Sequence, residues 1–386
     1  MKIKSVGARA INDSRGDKTI LVSIKTNAGL FSASAPNGKS KGKHEAKPWK
    51  KDLQGDIKTL KQFSGYFSSD EIEKFEDLRR IEDIVDRHIG ANTLFALESA
   101  VLKALAKEQK KQVWQLINPQ AKKFPRLVGN CVGGGLHSHT QSQKKPDFQE
   151  FLLIPKTNSV KESFNDLKRV KGEVFYSLKD RDEKFQGKKN DEDAWQTGLN
   201  EKEVFDVLRE FNVPLGVDVA ASSFYGRKKY LYHNPMLTRD SEEQLNYISN
   251  LIKNFDIFYI EDPFDEEDFQ AFGKLLAKVQ NTMIVGDDLT ITSPKRLEKA
   301  IEEKSINAII VKPNQNGSLL EVRNVCELAK KHGIKIVFSH RSGETTETIL
   351  ADLAFGFQAD FLKCGITGKE REAKIKRLIE IEKKMK

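Results

Sequence analysis

The sequence predicts an α/β protein: a β/α barrel preceded by a smaller α+β capping domain. Two observations carry this. Up to about residue 125, strand-like and helix-like segments are segregated, strands first and helices after. Beyond that point, short apolar runs alternate with amphipathic stretches, and a polar side chain stands at the end of nearly every run. A chain of 386 residues is long for one domain and comfortable for two. The expected division is 1–125 for the capping domain and 126–386 for the barrel.

In chain order, segments 3–11 and 19–26 read as paired strands joined through Asn12-Asp13-Ser14-Arg15-Gly16, a cluster of turn formers. Helices are expected over 71–88 and 93–110, the second with Leu94, Leu97, Val101, Leu102 and Leu105 at helical spacing. The later apolar runs are 151–155, 215–219, 257–260, 283–285, 308–311, 334–338 and 361–362. Their hydrophobicity is continuous rather than alternating, as in strands buried on both faces beneath helices. So many units in a row favour a closed barrel, although an open doubly wound sheet gives a similar pattern. The charged segment 369–386 reads as a terminal helix with Ile375, Leu378, Ile379 and Ile381 turned inward.

Composition excludes several classes. No apolar run approaches the length of a bilayer crossing, and the start does not resemble a signal peptide. The three cysteines, Cys131, Cys326 and Cys364, are scattered without metal-ligand spacing, so no disulfide framework or structural zinc is expected and a reducing cytoplasm is the natural compartment. The net charge is +9, but the basic residues are spread along the chain and not interleaved with aromatics. That pattern favours a solvated lysine-rich surface over a nucleic-acid partner. A positive field also draws in anionic substrates.

The informative residues follow the runs. Asp218 lies in one run, Glu261 follows the next, and Asp287 and Asp288 close another; then come Lys312, His340 and Lys363. Barrel sites are assembled at the C-terminal ends of successive strands, so these groups converge on one mouth. Helix capping explains a single acidic residue, not carboxylates after three runs followed by two lysines and a histidine in series. Three carboxylates offer hard oxygen ligands for a cation such as Mg²⁺. A lysine beside that cation is pushed toward its neutral, basic form. The spacing therefore points to a metal-assisted enzyme acting on an anionic substrate.

Several strings carry a resemblance. They are Gly286-Asp287-Asp288-Leu289-Thr290, Lys312-Pro313-Asn314-Gln315, Ser339-His340-Arg341-Ser342-Gly343-Glu344-Thr345 and Lys363-Cys364-Gly365, together with Asp218-Val219-Ala220-Ala221-Ser222, Ile260-Glu261-Asp262-Pro263-Phe264 and Phe148-Gln149-Glu150-Phe151. Nearer the start stand Asp13-Ser14-Arg15-Gly16 and the loop from Ala35 to Ala46. The chain resembles enolases over nearly its whole length, with Gly133-Gly134-Gly135-Leu136-His137 similar to archaeal members.

The resemblance implies an enolase-type β/α barrel and a cytoplasmic lyase of glycolysis and gluconeogenesis. Its reaction would be the reversible, Mg²⁺-dependent dehydration of 2-phosphoglycerate to phosphoenolpyruvate. By the same resemblance Asp218, Glu261 and Asp287 would hold one Mg²⁺, and Ser40 would help hold a second once substrate is bound. Lys312 would remove the C2 proton. Glu192 would protonate the leaving C3 hydroxyl, with Glu150 paired to it. His137, His340, Lys363 and Gln149 would contact substrate, and Arg341 with Ser342 would hold its phosphate. A homodimer or larger homo-oligomer is implied as well.

The sequence departs from the family pattern in places. The family's Asp-Glu-Gly-Gly stretch reads Asp191-Glu192-Asp193-Ala194, so a glycine has become a carboxylate. Ser223 and Asn316 are unusual, the loop after His137 is strongly polar, and the segment after Lys363 is shortened. Asp193 either raises the pKa of Glu192 or points to solvent. Two further readings stay open: a divergent paralogue serving as a binding protein, and a dehydratase of another acid. Retention of Glu150, Glu192, Lys312, His340 and Lys363 argues against the first, and Arg341-Ser342 against a substrate without phosphate.

Overall fold

The structure is a computed structural model that describes residues 1–39, 42–68, 71–138 and 144–385. The chain opens with a three-stranded antiparallel sheet, β1 (Ile3–Asn12), β2 (Lys18–Thr26) and β3 (Gly29–Ser34). Strand β2 shows why it is a strand: Ile20, Val22 and Ile24 are fully buried while Leu21, Ser23 and Lys25 alternate outward. Helices α1 (Leu53–Phe63), α2 (Leu78–Val85), α3 (Ala91–Glu108) and α4 (Val113–Ile117) follow, with α3 lying on β2 and β3.

The helix expected over 71–88 is shorter than its periodicity suggests. Asp77 accepts hydrogen bonds from the backbone of Glu73 and Lys74, at 2.8 and 3.1 Å, which stabilises a turn rather than a helix there. Helix α1 and strand β3 were not among the expected elements, although Leu53, Ile57 and Leu60 of α1 stand at helical spacing and pack on the core.

The second part contains β4 (Arg126–Gly133), β5 (Glu150–Leu153), α5 (Val160–Arg181), β6 (Trp195–Gln196), α6 (Glu201–Leu208) and β7 (Leu215–Asp218). A small antiparallel sheet of β8 (Tyr225–Gly226), β9 (Lys229–His233) and β10 (Met236–Arg239) precedes α7 (Ser241–Phe255). Regular alternation then runs through β11 (Tyr259–Glu261), α8 (Phe269–Lys278), β12 (Met283–Gly286), α9 (Pro294–Glu302), β13 (Ala308–Val311), α10 (Leu319–Lys331), β14 (Lys335–Ser339), α11 (Ile349–Gly356), β15 (Phe361–Gly365) and α12 (Lys369–Met385).

Strands β4, β5, β7 and β11 to β15 close into a barrel, because β15 pairs with β4 from Phe361 opposite Arg126 to Gly365 opposite Asn130. The open-sheet alternative is thereby excluded. Strand β4 was not among the expected runs, since Gly129, Asn130 and Gly133 dilute its hydrophobicity.

Inside the barrel, Val128, Leu152, Ile154, Tyr259, Val285, Ile310 and Val337 pack together, while alternate residues such as Ile284, Ile309 and Ile336 face the helices. Both faces are buried, which accounts for the continuous apolar runs. Strand β5 differs from the rest: it is antiparallel to both β4 and β7. Among the described residues the β4–β5 connection carries a single 3-10 turn and no crossover helix, so the chain re-enters the sheet from the end it left. The capping sheet meets the barrel mouth through Asn37 and Gly343, whose backbones exchange hydrogen bonds of 2.7 and 2.9 Å.

Candidate active site

Strand geometry brings the nominated groups together. Asp218 and Glu261 are the last residues of β7 and β11, Asp287 follows β12, Lys312 follows β13, His340 follows β14, and Lys363 is in β15. Glu150 stands at the start of β5, yet it reaches the same mouth because β5 is reversed and Glu150 is in register with Asp218. His137, Gln149, Glu150, Glu192, Lys312, His340, Arg341, Ser342 and Lys363 line one small cavity. Asp218, Glu261 and Asp287 are buried behind Lys363 and Lys312. Ser40 lies outside the described residues.

The lysines are held by carboxylates. Lys363 Nζ lies 2.9 Å from Asp218 Oδ2, 2.8 Å from Glu261 Oε2 and 3.3 Å from Glu150 Oε2. Burial depresses its pKa, but Asp218, Glu150 and Glu261 outweigh burial and push it well above the usual lysine value. Lys312 pairs with Asp287 and is likewise raised against burial by that carboxylate. Asp262 accepts the backbone N–H groups of Asp287 and Asp288 at 3.0 and 2.6 Å, which orients the turn after β12. Tyr259 donates to Glu261 Oε2 at 2.6 Å.

Glu150, Glu192 and His137 bring ligand atoms within 4.8 Å of one another, as do Asp262, Asp287 and Asp288. Within the first group the two carboxyls are pushed apart. Burial first, and then the charge of Glu192, raise Glu150 well above its ordinary value. Burial acts to raise Glu192 too, but His340 and His137 outweigh it and hold that carboxyl well below the usual range. The pair therefore differs in proton affinity, Glu150 holding a proton more tightly than Glu192. The upward push expected on Glu192 from Asp193 is not what governs it.

Asp193 does neither thing anticipated for it. Its carboxylate is clasped by Thr367, by Lys171 at 3.3 Å and by Lys189 at 3.1 Å. Burial would raise it, but Lys171, Thr367 and Lys189 hold it below its ordinary value. It is neither aimed at Glu192 nor free in solvent.

Several groups here escaped sequence reasoning. Asn130 Nδ2 on β4 donates to Glu192 Oε2 at 2.9 Å. Glu45 accepts a two-pronged hydrogen bond from Arg341, at 2.9 and 3.0 Å. Arg371 on α12 donates to Ser14 Oγ and to the carbonyl oxygens of Asp191 and Ser342. Lys39 donates its backbone N–H to Ser342 Oγ at 2.9 Å and its ammonium to Asp191 at 3.0 Å. The Ala35–Ala46 string was the available signal for Glu45; nothing local marks Asn130 or Arg371.

Chemically, the mouth offers buried carboxylate oxygens whose charge already recruits two ammonium groups. That donor set fits a hard divalent cation, with Asp218, Glu261 and Asp287 supplying oxygens. Arg341, Ser342 and Lys363 present positive charge and donors to an anion.

Comparison with known proteins agrees with this architecture. The family model described as "Enolase, N-terminal domain" matches residues 3–117, and "Enolase, C-terminal TIM barrel domain" matches residues 121–386. The chain is 35% identical to the enolase of Methanosphaera stadtmanae, over 99% of this chain and 97% of that one. It is 34% identical to the enolase of Pyrobaculum aerophilum (99% and 96% covered) and 33% identical to that of Archaeoglobus fulgidus (100% and 98%). A closed barrel with its acidic mouth, two family models spanning the chain and full-length relatives agree: the chain belongs to the enolase family.

Proposed function

We propose that this chain is a lyase that acts as the family does, dehydrating 2-phosphoglycerate reversibly to phosphoenolpyruvate with Mg²⁺ as its divalent cation. The observation that carries the reading is the single cavity lined by Lys312, the Glu150–Glu192 pair, and Arg341 with Ser342. A base, a proton-bearing carboxyl pair and an anion clamp around one space are what this elimination requires.

In this reading Arg341 and Ser342 take the phosphate, and Gln149, His137, His340 and Lys363 surround the rest of the substrate. Lys312 Nζ accepts the C2 proton. A proton carried by the Glu150–Glu192 pair passes through Glu192 to the C3 hydroxyl, which leaves as water. Asn130 steers that carboxyl toward the cavity by its hydrogen bond. Asp218, Glu261 and Asp287 would hold one Mg²⁺, and Ser40 would serve a second that arrives with substrate. When bound, the metal supplies positive charge beside Lys312 and the substrate carboxylate, lowering the lysine's proton affinity and stabilising the developing charge.

The same reading divides the chain at 1–125 and 126–386 and puts it in the cytoplasm as a homodimer or larger homo-oligomer in glycolysis and gluconeogenesis. Among the described residues no helix is long and apolar enough to cross a membrane. Phosphoenolpyruvate absorbance tests the proposal directly. Purified protein given 2-phosphoglycerate should raise it only with Mg²⁺ present. A folded, metal-bound protein with no turnover would overturn the reading in favour of a binding role.

A further inference from the structure

Two departures from the family pattern, Asp193 beside Glu192 and the shortened segment after Lys363, touch each other in space. Thr367, four residues beyond Lys363, donates its hydroxyl to Asp193 Oδ2. Lys171 closes the arrangement from α5, donating to the Asp193 carbonyl and to the Thr367 hydroxyl while lying 3.3 Å from Asp193 Oδ2. We propose that this Lys171–Asp193–Thr367 clasp holds the Glu192 loop against the loop that follows Lys363, making Lys171 and Asp193 positioning residues for proton delivery to the leaving group. The inference rests on the assignment of Glu192 as the proton donor.

The local geometry gives the clasp a purpose. Asp193 has φ +65°, in the left-handed region that Asp and Asn enter more readily than other L-residues, so the chain turns sharply just beyond Glu192. On the other side Asn190 Oδ1 accepts the N–H groups of Glu192 and Ala194 at 3.0 and 2.9 Å. A Cβ at residue 133 would come within 2.1 Å of the Asn190 amide nitrogen, so Gly133 leaves room for that anchor. Asp193 thus ties the C-terminal side of this loop to α5 and to the loop after Lys363, beside the ties that Asn130 makes to Glu192 and Arg371 to Asp191.

Lys171 has only 3% of its side chain exposed. Its backbone carbonyl accepts the Trp195 indole N–H at 2.9 Å, which ties the helix to the strand leaving the same loop. A lysine is buried at a cost in free energy unless its charge is met, and here its hydrogen-bond acceptors are Asp193, next to Glu192, and Thr367, on the loop after β15. Lys189, 3.1 Å from Asp193, completes the charge balance from the exposed side. A clasp of this kind fixes where Glu192 stands and leaves Lys312, on a different strand, untouched.

That separation supplies the test. Exchange of the C2 proton with deuterated solvent reports Lys312, whereas phosphoenolpyruvate formation also needs Glu192. Thr367→Val removes the hydroxyl at a half-buried site with little change of shape, and Asp193→Gly removes the carboxylate without straining the backbone. Each variant, checked for native circular dichroism, is expected to lose kcat on the order of tenfold while C2 exchange and KM stay within about twofold. The double variant should be no worse than the more damaging single, because both remove one clasp. Dehydration at the wild-type rate in both variants, additive losses in the double, or exchange falling in step with dehydration would overturn the clasp. A wild-type protein that neither exchanges nor dehydrates would instead overturn the functional reading, and the clasp's catalytic role with it.

Discussion

Lys363 illustrates how much one side chain settles at the mouth of the barrel. Its ammonium touches three carboxylates that are otherwise crowded together and buried. Removing one partner of a buried ion pair costs about 3–5 kcal/mol, because the remaining charge stays uncompensated. Lys363→Ala should therefore unfold at lower denaturant concentration in chelator, and Mg²⁺ should restore part of the loss by neutralising the same oxygens. Equal losses with and without the metal would show that the carboxylates do not form a cation site. For Lys312 the expectation concerns chemistry. Lys312→Ala should reduce C2 proton exchange by about 10²-fold or more with the fold intact, as loss of a general base does. Exchange at the wild-type rate would mean that another group takes the proton. Both lysines were legible in the sequence because they follow buried runs. Glu45, Asn130 and Arg371 were not, since each meets the site through a partner far away in the chain.

At the scale of elements, short polar ties decide where helices begin. Asp56 on α1 is 1% exposed and accepts from Lys50 N, Gly90 N and Thr93 Oγ1 at 3.0, 2.8 and 2.6 Å. It thereby joins α1 to the first turn of α3, the helix that covers β2 and β3. Asp56→Ala leaves two buried donors, Gly90 N and Thr93 Oγ1, and the partly buried Lys50 N without that acceptor, which should cost about 2–4 kcal/mol. Denaturant unfolding would read this as a lower midpoint with unchanged slope, and Asp56→Asn should recover part of it. An unshifted midpoint would show that the tie is dispensable. The reversal of β5 belongs to the same scale. An apolar run has no direction of its own, so the sequence announced a strand at 151–155 but not that it would run backward and carry Glu150 to the mouth.

Across the whole molecule, the capping part is tied to the barrel by a buried carboxyl. Glu98 on α3 is fully buried and accepts the Leu319 N–H, at the start of α10, at 2.6 Å. Burial first, and the neighbouring Glu82 second, raise its pKa well above the ordinary value. The folded protein therefore keeps a proton that the unfolded chain releases once pH passes the usual glutamate value. This contribution is fully present below the unfolded pKa and is lost as pH rises through the raised folded pKa, by at most about 1.4 kcal/mol per pH unit. Glu98→Gln cannot titrate there, so its stability relative to wild type should grow as pH rises above the ordinary glutamate value and level off once pH has passed the raised folded one. Parallel stability–pH curves for the two proteins would sink the idea.

By itself the sequence determined the series of buried strands, the resemblance to enolases and the polar residues that close those strands. Closure into a barrel needed the pairing of β15 with β4. A strand buried on both faces leaves an apolar run, and the polar residue closing that run is adjacent in the chain. Asp218, Glu261, Asp287, Lys312, His340 and Lys363 are all marked in this local way. Tertiary structure alone decided the direction of β5, the hydrogen bond from Asn130 to Glu192, the seating of Glu45 on Arg341, and the meeting of Lys171, Asp193 and Thr367. These pairings join positions far apart in the chain; Arg371 and Ser14 are separated by 357 residues. Local periodicity records which face of an element is buried. It does not record which distant side chain will be packed against it, because that depends on how the elements close around one another.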